Sequence, residues 1–296
     1  MSDVRTRTVF VHGIDELRVE LARLVAERGA ESVGLVPTMG ALHAGHTALM
    51  EAAVAENAVV AASLFVNPLQ FDRQEDFDTY PRDLTGDMEI FERGGVDLVF
   101  APSVEEMYPG FPDAPAIGVS SGEMGRVLEG ASRPGHFDGM ATVVAKLFQI
   151  FMPKGADLRA YFGEKDAQQL MIVTRMVADL SIPVTVRPVK TQREPSGLAL
   201  SSRNQLLSEA EKESATVLSR ALLVLADRAR AGEDWGLDEL RALIDATDDV
   251  ELDHLLVVDP TTLRPTDRVP GLALVAARVG AARLIDNMMI EGPDGD

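Results

Sequence analysis

The chain has 296 residues, a net charge of -19 and no cysteine, and its hydrophobic fraction of 46% is that of an ordinary globular protein. The negative charge disfavours binding to nucleic acids and anionic membranes, and the lack of cysteine excludes disulfides, thiolate metal sites and cysteine nucleophiles. No apolar window is long enough for a transmembrane helix, and residues 1–10 lack the apolar core of a signal peptide. The sequence is therefore typical of a cytoplasmic protein.

Alternating strand and helix patterns occupy the first two thirds of the chain. Short apolar runs predict strands, and the amphipathic segments between them predict helices. The predicted strands are 32–36, 59–66, 96–100, 159–163 and 184–189, and the predicted helices are 43–57, 84–94, 142–152 and 166–178. Strands that alternate with crossover helices favour an α/β fold, with a doubly wound, Rossmann-like parallel sheet and helices on both faces.

A different pattern begins near residue 190. Ser208 and Glu211 are spaced as a capping box, which predicts the start of a long helix. The elements expected there are this helix up to Ala231, a helix after Trp235, a strand over 251–258, an antiparallel pair over 272–279 and 281–290, and a frayed acidic tail over 291–296. We therefore expect one domain over residues 1–188 and a smaller α+β domain over 189–296.

The most informative segment is PTMGALHAGH, residues 37–46, which follows a predicted strand and opens a predicted helix. Doubly wound sheets bind nucleotides at such strand ends, and a helix N-terminus attracts phosphate. His43 and His46 are expected to lie on one face of the first helical turn and to donate hydrogen bonds to triphosphate oxygens, while Gly45 lets a ligand approach the backbone. The alternative is a pair of histidines that caps the turn or binds a metal, but the strand–helix context favours phosphate.

Two amides follow the second predicted strand, in the segment FVNPLQF. Asn67 and Gln70 lie where a strand continues into a loop, a position that suits contact with a small polar substrate. Tyr80, in the YPR segment that follows, is a candidate for the same cleft. Taken alone, this stretch is more typical of an ordinary loop.

Three further segments combine cations with loop residues. RPGHF carries Arg133 and His136 ahead of a predicted helix. FGEKD places Lys165 beside a helix N-terminus, where it suits phosphate, with Asp166 to orient it or to contact a ribose; in isolation the triplet is more typical of a solvated helix start. LALSSRN is a small-residue loop that is flexible enough to close over a nucleotide and bring Arg203 to the phosphates.

Together these segments strongly resemble the pantoate–β-alanine ligase family. PTMGALHAGH, FVNPLQF, YPR, RPGHF, FGEKDAQQ and LALSSRN are weak signals one by one, but six in this order are specific, and the resemblance extends from Val33 to Ile290. In that family the H-x-G-H element corresponds to the H-I-G-H signature of class I aminoacyl-tRNA synthetases and related nucleotidylyl transferases. The SSRN loop corresponds to their mobile K-M-S-K-S loop.

The resemblance implies ATP-dependent condensation of pantoate with β-alanine to pantothenate, through a pantoyl adenylate and with release of AMP and pyrophosphate. It further implies Mg²⁺ with the ATP, a homodimer, a first domain that binds nucleotide and pantoate, and a C-terminal domain that acts as a lid and carries the SSRN loop. The sequence does not identify ligands for the metal.

Roles for particular residues also follow from the resemblance. The implied catalytic residues are His43, His46, Lys165 and Arg203, with His46 often described as a proton donor. The implied ATP site comprises Met39, Gly40, Ala41, Leu42, His43, Ala44, Gly45, His46, Gly163, Glu164, Lys165, Asp166, Gln192, Leu200, Ser201, Ser202 and Arg203. The implied substrate site comprises Pro37, Thr38, Asn67, Gln70, Tyr80 and Gln169, in which the two glutamines hold pantoate from opposite sides.

Two positions depart from the family pattern. Position 167 is Ala where an aromatic residue is expected, and Gln192 is polar where an apolar residue is more usual. Gln192 is expected to offer backbone contacts to the adenine. If the missing ring at Ala167 only packs, its loss leaves a void or is compensated elsewhere. If it shapes the nucleotide pocket, ATP affinity is affected. Neither change removes a charged or hydrogen-bonding group that the chemistry needs.

The chemistry agrees with the residues. A carboxylate is a poor acyl donor because its leaving group would be oxide, and an adenylate replaces that leaving group with AMP. One alternative is a nucleotidylyltransferase that stops after nucleotide transfer. Such an enzyme would lack an amine-accepting pocket, whereas the Asn67–Gln70 loop and Gln169 indicate that this chain has one. The other is a non-catalytic nucleotide sensor, which loss of His46, Lys165 or Arg203 would have indicated; all three are present.

Overall fold

A computed structural model describes residues 7–293, which divide into two compact units. The first unit contains residues 7–163 and 168–189, and the second contains 164–167 and 190–293. The division after residue 189 lies next to the boundary expected from the sequence, but the short segment 164–167 belongs with the second unit. Most of the stretch tested for a signal peptide, and the last three residues of the predicted acidic tail, lie outside the described residues.

The first unit is built on a six-stranded parallel sheet with strand order β1-β4-β3-β2-β5-β6. The strands are β1 (Val9–Val11), β2 (Ser32–Thr38), β3 (Val59–Leu64), β4 (Leu98–Phe100), β5 (Asp157–Gly163) and β6 (Val184–Val189). The helices between them are α1 (Ile14–Arg28), α2 (Ala44–Glu56), α3 (Gln74–Asp78), α4 (Leu84–Arg93), α5 (Val104–Met107), α6 (Glu129–Ser132), α7 (His136–Ile150) and α8 (Ala167–Asp179). Short 3₁₀ turns cover Pro68–Gln70 and Gly122–Gly125, and a further one covers Glu164–Asp166 in the segment that belongs with the second unit.

Helices cover both faces of this sheet, and alternate strand residues belong to two separate hydrophobic clusters, one on each face. Leu35 packs on one face with Leu21 of α1 and Val144 of α7. Its neighbour Val36 packs on the other face with Met50 of α2 and Phe91 of α4. Successive side chains of a strand point to opposite faces, so a strand buried on both sides is apolar throughout. The predicted doubly wound α/β fold is confirmed.

The second unit is α+β, as the sequence indicates. Three antiparallel strands, β7 (Val250–Val258), β8 (Gly271–Val279) and β9 (Ala282–Ile290), pair in chain order. Helices α9 (Glu209–Arg230) and α10 (Leu237–Asp245) share a hydrophobic core with them, and a 3₁₀ turn covers Ser202–Leu206. The predicted capping box is present: the backbone N–H of Ser208 donates to Glu211, and that of Glu211 donates to the Ser208 hydroxyl.

Four elements differ from the sequence-based expectation. Strand β1 and helix α1 were not predicted, since β1 is only three residues long and α1 follows Gly13, which provides no side-chain cap. Helix α7 begins at His136 and not at Thr142, because Gly139 lies in its first turn and resembles a helix breaker. Strand β2 continues through Pro37 and Thr38, which were predicted to lie in a loop. Within residues 7–293, every helix is too short or too polar to cross a membrane.

Candidate active site

Strands β2 and β5 mark the switch point of the first unit's sheet. From β2 the chain proceeds to β3 and β4 on one side, and then returns to β5 on the other side of β2. Ligands of doubly wound sheets bind in the crevice outside the carboxyl ends of the strands at such a point. The H-x-G-H segment follows β2, Gly163 ends β5, and Gln169 lies in the first turn of α8. The structure thus brings these predicted residues to the expected edge of the sheet.

A tight turn connects β2 to α2, and a buried carboxylate holds it. Gly40 has a φ of 89° and Ala41 a φ of 52°, a left-handed backbone that glycine adopts readily. The carboxylate of Asp87, which is 3% exposed, accepts hydrogen bonds from the backbone N–H groups of Ala41 at 3.0 Å and Leu42 at 2.8 Å. Asp87 therefore fixes the backbone of the segment assigned to ATP.

His43 and His46 cap the N-terminus of α2, with His43 at the N-cap itself. The backbone N–H of Gly45 donates to Nδ1 of His43 at 3.1 Å, and the N–H of His43 donates to Nδ1 of His46 at 3.2 Å. Because each Nδ1 accepts a hydrogen bond, each neutral ring carries its proton on Nε2. Both rings therefore have an Nε2–H donor, as the phosphate-binding prediction requires, although His43 precedes the first helical turn and does not lie within it.

Gly45 is needed for the position of the His43 ring. A Cβ atom at this position would lie 2.8 Å from Cε1 and 3.0 Å from Nδ1 of His43. The two imidazole rings are 4.3 Å apart between centroids. The sequence predicts that this glycine lets a ligand approach the backbone. In the structure its missing side chain also leaves room for the His43 ring.

The substrate loop after β3 contains one predicted substrate residue whose side chain is hydrogen-bonded within the protein. Asn67 is fully buried, and its amide is engaged by Gln70, by the backbone of residues 69 and 139, and by the Tyr108 hydroxyl. The Asn67 side chain is therefore engaged within the protein, and its contact with a substrate stays a prediction. Gln70, at 6% exposure, remains the candidate for substrate contact in this loop.

Three other predicted substrate residues of the first unit contact neighbouring groups of the protein. Thr38 donates its hydroxyl hydrogen to the Ser63 carbonyl at 2.7 Å, which ties the end of β2 to β3, and Pro37 precedes it in the strand. Tyr80 is half-buried and packs edge-to-face on Phe71, with centroids 5.6 Å apart. These contacts are all within the protein, so the substrate contacts of the three residues stay predictions.

His136 contacts the substrate loop, although no role was predicted for it. Its Nδ1 lies 2.9 Å from the backbone carbonyl oxygen of Gln70, so this nitrogen carries a proton and donates it. His136 is the first residue of α7, and the preceding Gly135 has a φ of 82°. The start of α7 and the Gln70 turn are therefore linked directly.

In the second unit, one residue of β9 fixes the EKD segment. The side-chain amide of Asn287 donates to the backbone carbonyls of Glu164 at 2.8 Å and Lys165 at 2.9 Å. The side chain of Lys165 is 19% exposed, and its Nζ lies 3.9 Å from the carboxylate of Asp166. This supports the prediction that Asp166 orients the lysine, while its contact with a ribose stays untested.

The neighbouring residue of β9 fixes the loop that leads to SSRN. Arg193 makes a two-point contact with Asp286, with nitrogen–oxygen distances of 2.6 Å and 2.9 Å, and also donates to the carbonyl of Gly197. Asp286 is 4% exposed. The hydroxyl of Ser201 accepts a hydrogen bond from the backbone N–H of Arg203. The base of the loop is thus anchored, whereas Ser202 and Arg203 are exposed.

The two departures from the family pattern have different surroundings. Ala167 is 7% exposed, so the methyl group occupies a buried position that leaves little solvent contact. Gln192 is exposed; its side chain donates to the Lys190 carbonyl, and its own carbonyl accepts from the N–H of Leu200. Its adenine contact stays a prediction.

Sequence reasoning did not single out four buried residues whose side chains hydrogen-bond to the predicted segments or to the loop that leads to SSRN: Asp87, Tyr108, Asp286 and Asn287. Each acts on a motif that lies far away in the chain, so no local spacing reveals it. A buried polar residue in an apolar strand or a helix is the only signal available, because such groups need a partner. The Asp286–Asn287 pair, buried within the largely apolar strand β9, carries that signal.

No group of three or more His, Asp or Glu side chains within residues 7–293 is arranged to hold a metal ion. Mg²⁺ is usually bound through substrate phosphates with one or two carboxylates, and does not require a cage of protein ligands.

Comparison with known proteins gives a consistent result. Residues 9–289 match the family model described as pantoate-beta-alanine ligase. A pantothenate synthetase of Paenarthrobacter aurescens is 56% identical over 287 residues, which cover 92% of this chain and 97% of the relative.

Solved structures agree. A crystal structure of pantothenate synthetase from Thermus thermophilus superposes with a TM-score of 0.84 at 48% identity, covering 95% of this chain and 99% of that one. A pantoate-beta-alanine ligase from Francisella tularensis, complexed with beta-gamma ATP and beta-alanine, has a TM-score of 0.76 at 36% identity and covers 95% and 97% of the two chains.

Proposed function

Because this chain belongs to the pantoate–β-alanine ligase family, and is accordingly a ligase, we propose that it makes pantothenate through a pantoyl adenylate. A pantoate carboxylate oxygen attacks the α-phosphorus of ATP, and the bond from that phosphorus to pyrophosphate breaks. The amine of β-alanine then attacks the activated carbonyl, loses a proton, and expels AMP. No protein group needs to form a covalent bond, which agrees with a chain that contains no cysteine.

The observation that carries this proposal is the tautomer of the two histidines. With Nδ1 of both rings accepting backbone N–H groups, His43 and His46 each offer an Nε2–H donor at the N-terminus of α2. A helix N-terminus carries partial positive charge, and donors held in place stabilise the charge that builds on phosphate oxygens. The pair therefore suits an anionic phosphoryl group.

The remaining proposed roles follow the family. Lys165 and Arg203 supply positive charge to the phosphates, and Gly163, Glu164, Asp166, Gln192 and Leu200–Ser202 contact ATP. Gln70 and Gln169 hold pantoate. The lid role of the C-terminal domain, in which the SSRN loop closes and keeps water from the anhydride, is part of the same proposal.

The substrate proposal draws on the Francisella relative, which was solved with a nucleotide and β-alanine. We propose that this chain uses the same two ligands together with pantoate. Mg²⁺ bound to the ATP phosphates would lower their negative charge. In this proposal the two histidines, Lys165 and Arg203 position the α-phosphate and the leaving pyrophosphate.

The nucleotide product tests the proposal. Purified protein is incubated with ATP, Mg²⁺ and pantoate, with and without β-alanine, and the nucleotides are separated by chromatography. The adenylate route gives AMP and pantothenate when both substrates are present. ADP as the product would indicate an acyl phosphate and contradict the proposal. Continued nucleotide transfer at the same rate with and without β-alanine would indicate a nucleotidylyltransferase. Binding of ATP without turnover would indicate a sensor.

A homodimer is also proposed, on the family resemblance alone, and a location in the cytoplasm, on the composition of the sequence. Light scattering at micromolar concentration should give about twice the chain mass of 31.9 kDa. A fully active protein at the monomer mass would contradict it.

A further inference from the structure

The amide of Gln70 has a defined polarity, set through Asn67. Nδ2 of Asn67 lies 3.0 Å from Oε1 of Gln70 and 3.1 Å from the carbonyl oxygen of Gly139. Oδ1 of Asn67 lies 3.0 Å from the hydroxyl of Tyr108 and 3.4 Å from the backbone nitrogen of Leu69. Asn67 has no exposed surface, so these four contacts account for its hydrogen-bonding capacity.

Backbone groups decide which way both amides point. An isolated amide can be flipped, because its oxygen and nitrogen look alike. Here a carbonyl, which only accepts, faces one atom of the Asn67 amide, and an N–H, which only donates, faces the other. The first atom must therefore be Nδ2 and the second Oδ1. Since Nδ2 donates to Gln70, the facing atom of Gln70 is its oxygen, and the NH₂ group of Gln70 is left to donate elsewhere.

The Tyr108 hydroxyl completes this arrangement. It faces Oδ1 of Asn67, which has no hydrogen, so the hydroxyl must be the donor. Tyr108 is 1% exposed, and burial raises the pKa of its hydroxyl, which keeps the proton in place. A flipped Asn67 would turn its NH₂ group toward both the hydroxyl hydrogen and the Leu69 N–H, and buried donors without acceptors are costly.

Gly139 makes the close approach possible. A Cβ atom there would lie 2.0 Å from the carbonyl oxygen of Leu69 and 3.0 Å from the backbone nitrogen of Gln70. Because both are backbone atoms, no side-chain movement would relieve the clash. Helix α7 therefore lies directly against the Gln70 turn and supplies the carbonyl that orients Asn67.

We propose that Tyr108 is a positioning residue that acts through Asn67 and holds the NH₂ group of Gln70 toward the hydroxy acid, which is recognised there through acceptor oxygens. This inference rests on the proposed function, in which Gln70 contacts pantoate. It adds the residue that orients the glutamine and the direction of the hydrogen bond: protein donates and substrate accepts.

The first test compares two conservative variants, Tyr108→Phe and Tyr161→Phe. Both tyrosines are 1% exposed and belong to the first unit, but the Tyr161 hydroxyl contacts Glu56 and Asn57, not the Gln70 turn. Loss of one hydrogen bond in Tyr108→Phe should raise KM for pantoate about three- to tenfold and leave KM for ATP and kcat at saturating pantoate unchanged. Tyr161→Phe should leave all three constants unchanged. Equal effects of the two variants, or a change confined to kcat or to ATP, would overturn the proposal.

A double-mutant cycle shows whether Tyr108 acts through Gln70. In a Gln70→Ala background, Tyr108→Phe should have no further effect on KM for pantoate, since the group it orients is gone. Additive effects of the two substitutions on KM for pantoate would contradict the role of Tyr108, even if the wild-type protein forms AMP as proposed. Failure of the proposed function itself would appear differently, as wild-type protein that forms no AMP from pantoate and β-alanine.

A second measurement follows the NMR signal of the Gln70 NH₂ group and does not depend on whether a Tyr108 variant folds. In protein labelled with ¹⁵N-glutamine, the Gln70 NH₂ signal, identified by its loss in Gln70→Ala, should shift when pantoate is added. The signal of Gln168, whose NH₂ group donates to the carbonyls of Met124 and Val127, is an internal control that should remain in place. An unmoved Gln70 signal at saturating pantoate would overturn the proposed direction of the hydrogen bond.

Discussion

Replacing Asp87 by Asn should loosen the turn that carries the H-x-G-H histidines. The side chain keeps its size, but only one oxygen remains to accept from the two backbone N–H groups of Ala41 and Leu42. The other N–H then faces an NH₂ group in a site that is 3% exposed. The loss is therefore one hydrogen bond to a charged acceptor, together with an unpaired buried donor.

The magnitude follows from that count. A hydrogen bond to a charged group contributes about 1.5–3 kcal/mol, so Asp87→Asn should lower the free energy of unfolding by about that amount if the turn keeps its conformation. If the turn relaxes, ATP must restore it on binding, and KM for ATP should rise about tenfold or more, since 1.4 kcal/mol corresponds to a factor of ten.

Steady-state kinetics with varied ATP and thermal or urea unfolding measure both quantities. Asp83→Asn is the matched control, because Asp83 is an exposed carboxylate at the N-cap of the same helix and accepts from Gly86 at 3.0 Å. Asn caps helices about as well as Asp, so this variant should behave like the wild type. An Asp87→Asn protein with unchanged stability and unchanged KM for ATP would refute the role assigned to the carboxylate.

Three further predictions concern both units. His46→Ala should reduce kcat about ten- to a thousandfold with the fold intact by circular dichroism, because one fixed donor to a transition state contributes up to ~4 kcal/mol; near-native turnover would remove His46 from the mechanism. Asn287→Asp cannot donate to the carbonyls of residues 164 and 165, and should reduce turnover more than Asn287→Gln; equal activity of the two would show that the contact does not position Lys165. Hydrogen bonds from Thr261 and Thr262 lower the pKa of Asp259 from 3.8 to about 2, so the stabilisation from this turn is complete above pH 3.8 and lost as pH falls through 2; a carboxyl NMR titration with its midpoint at 3.8 would contradict this.

The sheet and the H-x-G-H turn were predictable because their signals are local. Strands β2 and β3 are apolar on both faces, and His43 and His46 lie three residues apart at a strand–helix junction. Hydrophobic periodicity and spacing report such features directly. The same reasoning found the capping box at Ser208, whose two hydrogen bonds connect residues three apart.

The rest of the site depends on contacts between residues that are distant in the chain. Asp87 acts on residues more than forty positions earlier, and Asn287 on residues more than 120 positions earlier. Asn67 was predicted to bind substrate because a polar residue after a strand is usually exposed to the cleft. Only the packing of α7 and Tyr108 around it shows that its amide is used within the protein.

Exchange of labelled pyrophosphate into ATP tests the central claim, the adenylate, most directly. The first step uses only ATP and pantoate, and its products can recombine in the site by microscopic reversibility. The protein with ATP, Mg²⁺, labelled pyrophosphate and pantoate should incorporate label into ATP without β-alanine, and should not do so without pantoate. A preparation that forms pantothenate but shows no pantoate-dependent exchange would contradict the account.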